Sequence, residues 1–134
     1  MEERRALIID DEPDVATYLA TVLTDHGWKT YVAPGADAGL EMARGQRPDL
    51  ILLDVMMPNR GGMSTLVAIR KEKALEGVPV ILVTGIQSHL RKADFKAFLD
   101  RAHAYGPDGY LEKPVKPEVL MEMVDRVTAE VVVG

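Results

Sequence analysis

The chain has 134 residues, of which 47% are hydrophobic and 28% charged, with a formal net charge of −5 at pH 7 and no cysteine. This fits one soluble globular domain around a single core, excludes a disulfide framework or a thiolate metal site, and argues against non-specific nucleic-acid binding by this domain. The start, Met1-Glu2-Glu3-Arg4-Arg5, leads into an apolar run too short for a signal peptide or a membrane span, so a single domain over 1–134, cytoplasmic and without a membrane partner, is expected.

Ala6 to Ile9 is a short apolar run that stops at Asp10-Asp11-Glu12-Pro13-Asp14, and it reads as a first buried strand. Pro13 suits the first turn of a helix. Val15, Tyr18, Leu19, Val22 and Leu23 keep the spacing of one buried helical face, and Gly27 supplies the stop. Trp28 to Ala33 reads as a second strand near a sheet edge, because its apolar content is lower. Ala36, Gly39, Leu40 and Ala43 mark a short second helix that Gly45 closes.

Pro48 to Pro58, Pro-Asp-Leu-Ile-Leu-Leu-Asp-Val-Met-Met-Pro, organises the chain. Leu50 to Leu53 do not alternate with polar residues, as in a strand covered by helices on both faces, and the flanking prolines oppose a long helix. Asp54 follows at once. An ionised carboxylate there belongs at the rim of the sheet, where water or a cation reaches it, although an aspartate closing a strand also commonly just begins a turn.

Asn59 to Gly62 is a turn, and Met63, Leu66, Val67 and Arg70 open a third helix. Val80 to Val83 is a further unalternating strand, ending in Thr84-Gly85. Ser88 to about Tyr105 is helical in pattern, with Phe95, Phe98, Leu99 and Ala102 on one face, and Gly106-Pro107-Asp108-Gly109 breaks it. Tyr110-Leu111 is a short fifth strand before Glu112-Lys113-Pro114. Leu120, Met123, Val124, Val127 and Val131 stripe the last helix.

Five strands alternating with helices predict an α/β fold, a doubly wound parallel sheet with helices on both faces and ligands outside the carboxyl ends of the strands. Asp10, Asp11, Asp54, Thr84 and Lys113 then meet at one rim. Carboxylates about 4 to 5 Å apart repel by roughly 3 to 4 kcal/mol per pair at an effective dielectric of about 20, so such a cluster needs a cation. An all-oxygen site with room for water and phosphate favours Mg²⁺. A carboxylate beside a metal can act as a nucleophile toward a phosphoryl group, whose oxygens a cation, an ammonium and a hydroxyl would neutralise. Alone, the first three acids would be read as a cluster favoured by a helix N-terminus, and Lys113 as a solvated lysine beside a turn.

Asp10-Asp11-Glu12-Pro13, Asp54-Val55-Met56-Met57-Pro58, Thr84-Gly85 and Tyr110-Leu111-Glu112-Lys113-Pro114, in that order and each at a strand end, resemble the CheY-like receiver domains of two-component response regulators. The resemblance covers nearly the whole chain and implies a flavodoxin-like strand order of 2-1-3-4-5. It implies a non-enzymatic signalling domain in which Asp54 accepts a phosphoryl group from a histidine kinase or phosphotransfer protein. Asp11 would ligate Mg²⁺ directly and Asp10 through water, beside Asp54 and the backbone carbonyl of Met56. Thr84 and Lys113 would bind the phosphoryl group, and Tyr110 would turn inward when Thr84 moves. A cis Lys113-Pro114 bond would aim the ammonium into the site. The face formed by the Ser88–Tyr105 helix and the fifth strand would then act on a downstream protein or output domain.

Three features depart from the family pattern. Thr84 and Lys113 are 29 positions apart, about two helical turns more than is usual. Arg60 and Gly61 stand where an apolar residue and an aspartate are more common, and Gly85 replaces an alanine. Two other readings stay open, and a third, a flavin binder, is excluded by the loop after the first strand. A phosphate-independent interaction module keeps the fold without the chemistry. A small phosphohydrolase would want a second carboxylate two residues after the nucleophile, where Met56 stands. A flavin binder would want a Gly, Ser or Thr loop where the chain is acidic.

Overall fold

The computed structural model of the chain describes residues 3–55, 62–85, 100 and 106–129. Its strands are β1 (Arg5–Ile9), β2 (Lys29–Ala33), β3 (Leu50–Asp54), β4 (Val80–Thr84) and β5 (Gly109–Glu112). They form one parallel sheet in the order β2-β1-β3-β4-β5, as expected, with β2 at an edge. Parallel neighbours require crossovers, and the described helices that supply or follow them are α1 (Pro13–Asp25), α2 (Ala36–Gln46), α3 (Gly62–Lys71) and, last in the chain, α4 (Pro117–Thr128). The helix expected over Ser88–Tyr105 lies outside the described residues, Asp100 apart, as do Arg60, Gly61 and Val131.

The unalternating strands follow from a core on each face of the sheet. Leu7, Ile9, Ile51, Leu53, Val80 and Leu82 pack on one side with Leu40 and Ala43 of α2 and Leu66 and Ile69 of α3. Ala6, Ile8, Leu50, Leu52, Ile81 and Val83 pack on the other with Leu19 and Leu23 of α1 and Leu120 and Val124 of α4. Successive residues of a strand thus enter different cores, and neither position tolerates a polar side chain. Burial at about 25 cal/mol per Å² of apolar area makes these two cores the main support of the rim above them.

The helix ends show where local chemistry decided and where it did not. Pro13 takes the first turn of α1, and Gly27, at φ 88°, follows its end. There Gly27 N–H donates to Thr24 O at 3.0 Å and Trp28 N–H to Leu23 O at 3.1 Å, the paired closure that a left-handed residue after a helix permits. Gly45 does not close α2. The helix runs on to Gln46, and the reversal falls on Arg47 at φ 48°, whose N–H reaches Ala43 O at 3.0 Å. Tyr18 is also not on a buried face: it is 40% exposed, and its hydroxyl donates to Val115 O at 2.7 Å.

Candidate functional site

The register of the sheet brings the acids together. Ile9 pairs with Leu53 across β1 and β3, so the next residue on each chain, Asp10 and Asp54, emerges at the same carboxyl edge. Asp10 N–H continues the ladder to Ala33 O at 3.0 Å. Asp54 pairs with Val83, which places Thr84 one step further along β4, opposite Glu112. Lys113 N–H then donates to Thr84 O at 2.7 Å, so Lys113 leaves the sheet beside the end of β4. Asp10, Asp54 and Thr84 are buried.

Each of Asp10, Asp11, Glu12 and Asp54 offers a carboxylate oxygen within 4.8 Å of the others. Lys113 answers them: its Nζ lies 3.1 Å from Glu12 Oε1, 3.5 Å from Asp10 Oδ2 and 3.7 Å from Asp54 Oδ2. Burial opposes the charged form of Lys113, but Asp54, the hydrogen bond to Glu12 and the charge of Asp10 outweigh it, and its pKa stands above the ordinary 10.5. Asp54 departs from expectation in one respect. Its side chain is 1% exposed, at the rim but covered rather than open to water, and an ionised group so placed requires a nearby cation.

One ammonium does not satisfy this set. Asp10 Oδ1 accepts the Glu12 N–H at 2.9 Å, whereas its buried Oδ2 has no hydrogen-bond donor among the described residues. Excess carboxylate, oxygen donors only and an unsatisfied buried oxygen fit a hard divalent cation of the Mg²⁺ type. Asp10, Asp11 and Asp54 are the residues that would hold it; the Met56 carbonyl lies outside the described residues.

The family model described as "Response regulator receiver domain" matches residues 6–125. The chain belongs to the response regulator receiver family. It is 31% identical to Protein PilH of Pseudomonas aeruginosa over 125 residues, covering 93% of this chain and 98% of that protein. It is 34% identical to the DNA-binding response regulator MtrA of Mycolicibacterium smegmatis over 126 residues, covering 94% of this chain but 50% of that one. This receiver therefore spans nearly all of the first relative and half of the second. Among solved structures it resembles the CheY-like response regulator receiver domain protein from Methanospirillum hungatei, with a TM-score of 0.82, 25% identity and coverage of 95% of this chain and 94% of that one. Chemotaxis response regulator CheY4 of Vibrio cholerae superposes equally well, with a TM-score of 0.82, 26% identity and coverage of 94% and 99%. The receiver is thus a CheY-like component of two-component signalling, with a flavodoxin-like fold.

Around the receiver's acids, the Lys113-Pro114 bond is cis. Tyr110, on β5, is 43% exposed. A Cβ on Gly85 would meet Lys113 Cδ at 3.5 Å, an ordinary contact, so the common alanine would fit there. Beside Lys113 a cavity of about 600 Å³ opens between α1 and the loop after β5, lined by Val15, Tyr18, Leu19, Pro114 and Val115 among others. Sequence reasoning gave no separate part to Glu12 or Tyr18, which contact Lys113 and the loop that carries it. For Glu12 the available signal was its place directly after the acid pair; for Tyr18, a hydroxyl on an otherwise apolar stripe.

Among the described residues no helix is long and apolar enough to cross a membrane.

Proposed function

We propose that this receiver is a phosphorylation switch in which Asp54 takes a phosphoryl group from the histidine of a kinase or phosphotransfer protein. The observation that carries the proposal is the convergence of Asp10, Asp11 and Asp54 with Lys113 at the carboxyl edge of the sheet. An oxygen of Asp54 attacks phosphorus, the phosphorus–nitrogen bond to the donor histidine breaks, and the histidine leaves with the bonding pair. Lys113 shifts from its carboxylate partners to the phosphoryl oxygens, and Thr84, one step beyond the partner of Asp54 in the sheet, donates its hydroxyl to them. A divalent cation bound by the acids supplies the remaining neutralisation of phosphoryl charge. The covered position of Asp54 limits access of water to the acyl phosphate. The cavity beside Lys113 offers the donor protein an apolar surface close to the acceptor.

A new dianion at Asp54 biases the Thr84 and Tyr110 region, and a downstream protein or output domain reads the shift at β5 and at the Ser88–Tyr105 segment, whose expected helix lies outside the described residues. The chain acts as one receiver domain over 1–134 in the cytoplasm. Its chemistry is limited to accepting the group and losing it to water, without turnover of a metabolite.

The test is intact mass after incubation with Mg²⁺ and acetyl phosphate, wild type beside Asp54→Asn. A single base-labile phosphoryl adduct on wild type only is the expected result. An adduct of equal yield on Asp54→Asn would move the acceptor elsewhere. No adduct on either, with Mg²⁺ binding also absent, would make the domain a phosphate-independent interaction module.

A further inference from the structure

The Lys113 ammonium is not held most closely by the proposed acceptor. Its hydrogen-bonded partner is Glu12, at 3.1 Å, while Asp10 and Asp54 stand at 3.5 and 3.7 Å. The difference in setting is larger than the difference in distance. The Asp10 and Asp54 side chains are 1% exposed, that of Glu12 60%. The Glu12 backbone is nevertheless fixed. Its N–H is bound to Asp10 Oδ1 at 2.9 Å, its backbone is extended as the residue that caps α1, and Pro13 follows. The chain thus anchors a main chain beside the acid pair and leaves a long carboxylate free to swing between Lys113 and water.

We propose that Glu12 is the anion that holds the Lys113 ammonium in the resting receiver and competes for it with a phosphoryl group on Asp54. The inference rests on the phosphoacceptor reading above and adds a residue to it. An ammonium has three N–H donors, and those engaged by Glu12 must turn away before they can serve a phosphoryl oxygen. A carboxylate as exposed as this one is released at small cost, because exposed ion pairs are weak. A dianion attached to the residue already 3.7 Å away carries more charge and needs no ordering, so it wins the competition. Glu12 accordingly lowers the affinity of the site for a phosphoryl group without blocking it. It is a positioning residue, acting through Lys113.

The test is a double-mutant cycle with beryllium trifluoride as the phosphoryl mimic, titrated calorimetrically in saturating Mg²⁺ against wild type, Glu12→Gln, Lys113→Ala and the double variant. Glu12→Gln should bind about two- to fivefold more tightly than wild type, the range that corresponds to an exposed ion pair, and the gain should vanish in the Lys113→Ala background. Glu122→Gln, on the exposed side of α4, should leave the affinity unchanged and so separates local competition from net charge. Where Lys113→Ala binds too weakly to titrate, the fraction of phosphoryl adduct at fixed acetyl phosphate completes the same cycle. An unchanged or weaker affinity in Glu12→Gln overturns the proposal, and so does an equal gain without Lys113, which would mean simple repulsion. Asp54→Asn should abolish binding of the mimic. If it does not, the acceptor reading itself is wrong; if it does while Glu12→Gln stays silent, only the role of Glu12 falls.

Discussion

A methyl group on Gly39 would lie 2.6 Å from Cδ1 and 2.8 Å from Cγ1 of Ile9, the residue that precedes Asp10. Both positions are buried, so the backbone of α2 at Gly39 rests directly on the Ile9 side chain at the end of β1. Gly39→Ala gains up to about 1 kcal/mol of helix propensity, but overpacking a closed core costs typically about 1–3 kcal/mol, and a β-branched Ile9 has few rotamers through which to retreat. The variant should be less stable than wild type by urea denaturation. Equal or higher stability would mean that α2 can move off the strand freely.

Gly45 offers the opposite case on the same helix. It is exposed within α2, and an added Cβ would meet nothing within 4 Å. Gly45→Ala should therefore stabilise the domain by about 0.5–1 kcal/mol, mainly by narrowing the unfolded ensemble. A loss of stability would show that the end of α2 needs glycine after all.

That contrast marks how far the sequence could be read. Unalternating runs at Ile8, Leu52 and Ile81 announced a parallel sheet with two covered faces, and the convergence of Asp10, Asp54 and Lys113 at its carboxyl edge follows from that, whereas the order of the strands was implied only by the resemblance of the motifs at their ends. Periodicity assigns a residue to a face but does not measure what reaches it. Tyr18 falls on the apolar stripe of α1, yet its hydroxyl finds a carbonyl 97 positions away, and the residue stays 40% exposed. Glycine likewise permits a helix to end without requiring it, and Arg47 took the left-handed position that Gly45 was expected to prepare. The covered state of Asp54 and the hold of Glu12 on Lys113 are distances between separate strand ends, which spacing along the chain does not encode.

Arg70 secures the opposite edge of the sheet. It donates to Val78 O, to Gly106 O and to Asp108 Oδ2, the last at 3.0 Å, and Asp108 Oδ2 also accepts the Val80 N–H at 2.8 Å. These contacts fix where β4 begins and where β5 enters beside it. Arg70→Ala and Asp108→Ala should each cost about 1–2 kcal/mol, the worth of charge-assisted hydrogen bonds reduced for partial exposure. Measured together they should be clearly less than additive. Strict additivity in denaturation experiments would mean that the two side chains act separately.

The raised pKa of Lys113 fixes the sign of a pH effect. Burial alone would lower it, but Asp54, Glu12 and Asp10 together lift it above the unfolded value of 10.5. Stability contributed by a group raised in the folded state is complete below the unfolded pKa and is lost as pH rises through the folded one. The difference in unfolding free energy between wild type and Lys113→Met should thus stay level from pH 7 to near 10 and close at higher pH. Other lysines and tyrosines titrate in both proteins and cancel in the difference. A gap that widens above pH 10.5 would contradict the carboxylate environment of this ammonium.

The same acids predict a response to Mg²⁺ that depends on Lys113. An ion that binds only the folded state stabilises it by RT ln(1 + [L]/Kd), about 2.7 kcal/mol at a hundred times Kd. In wild type the ammonium at 3.5 Å from Asp10 and 3.7 Å from Asp54 already offsets part of the carboxylate repulsion, and an arriving cation must share the site with it. Lys113→Met removes that competitor and leaves Asp10 and Asp54 buried without their ammonium. The variant should therefore be the less stable protein in EDTA and should gain more from Mg²⁺ than wild type does, so that the two melting temperatures approach each other as the ion is added. Asp11→Asn deletes one carboxylate from the cluster without leaving a buried charge, since Asp11 is only partly covered, and its Mg²⁺ response should shrink in either background. Calorimetric melting of the four proteins across a Mg²⁺ series decides the matter: parallel shifts in all of them would place the ion elsewhere on the surface.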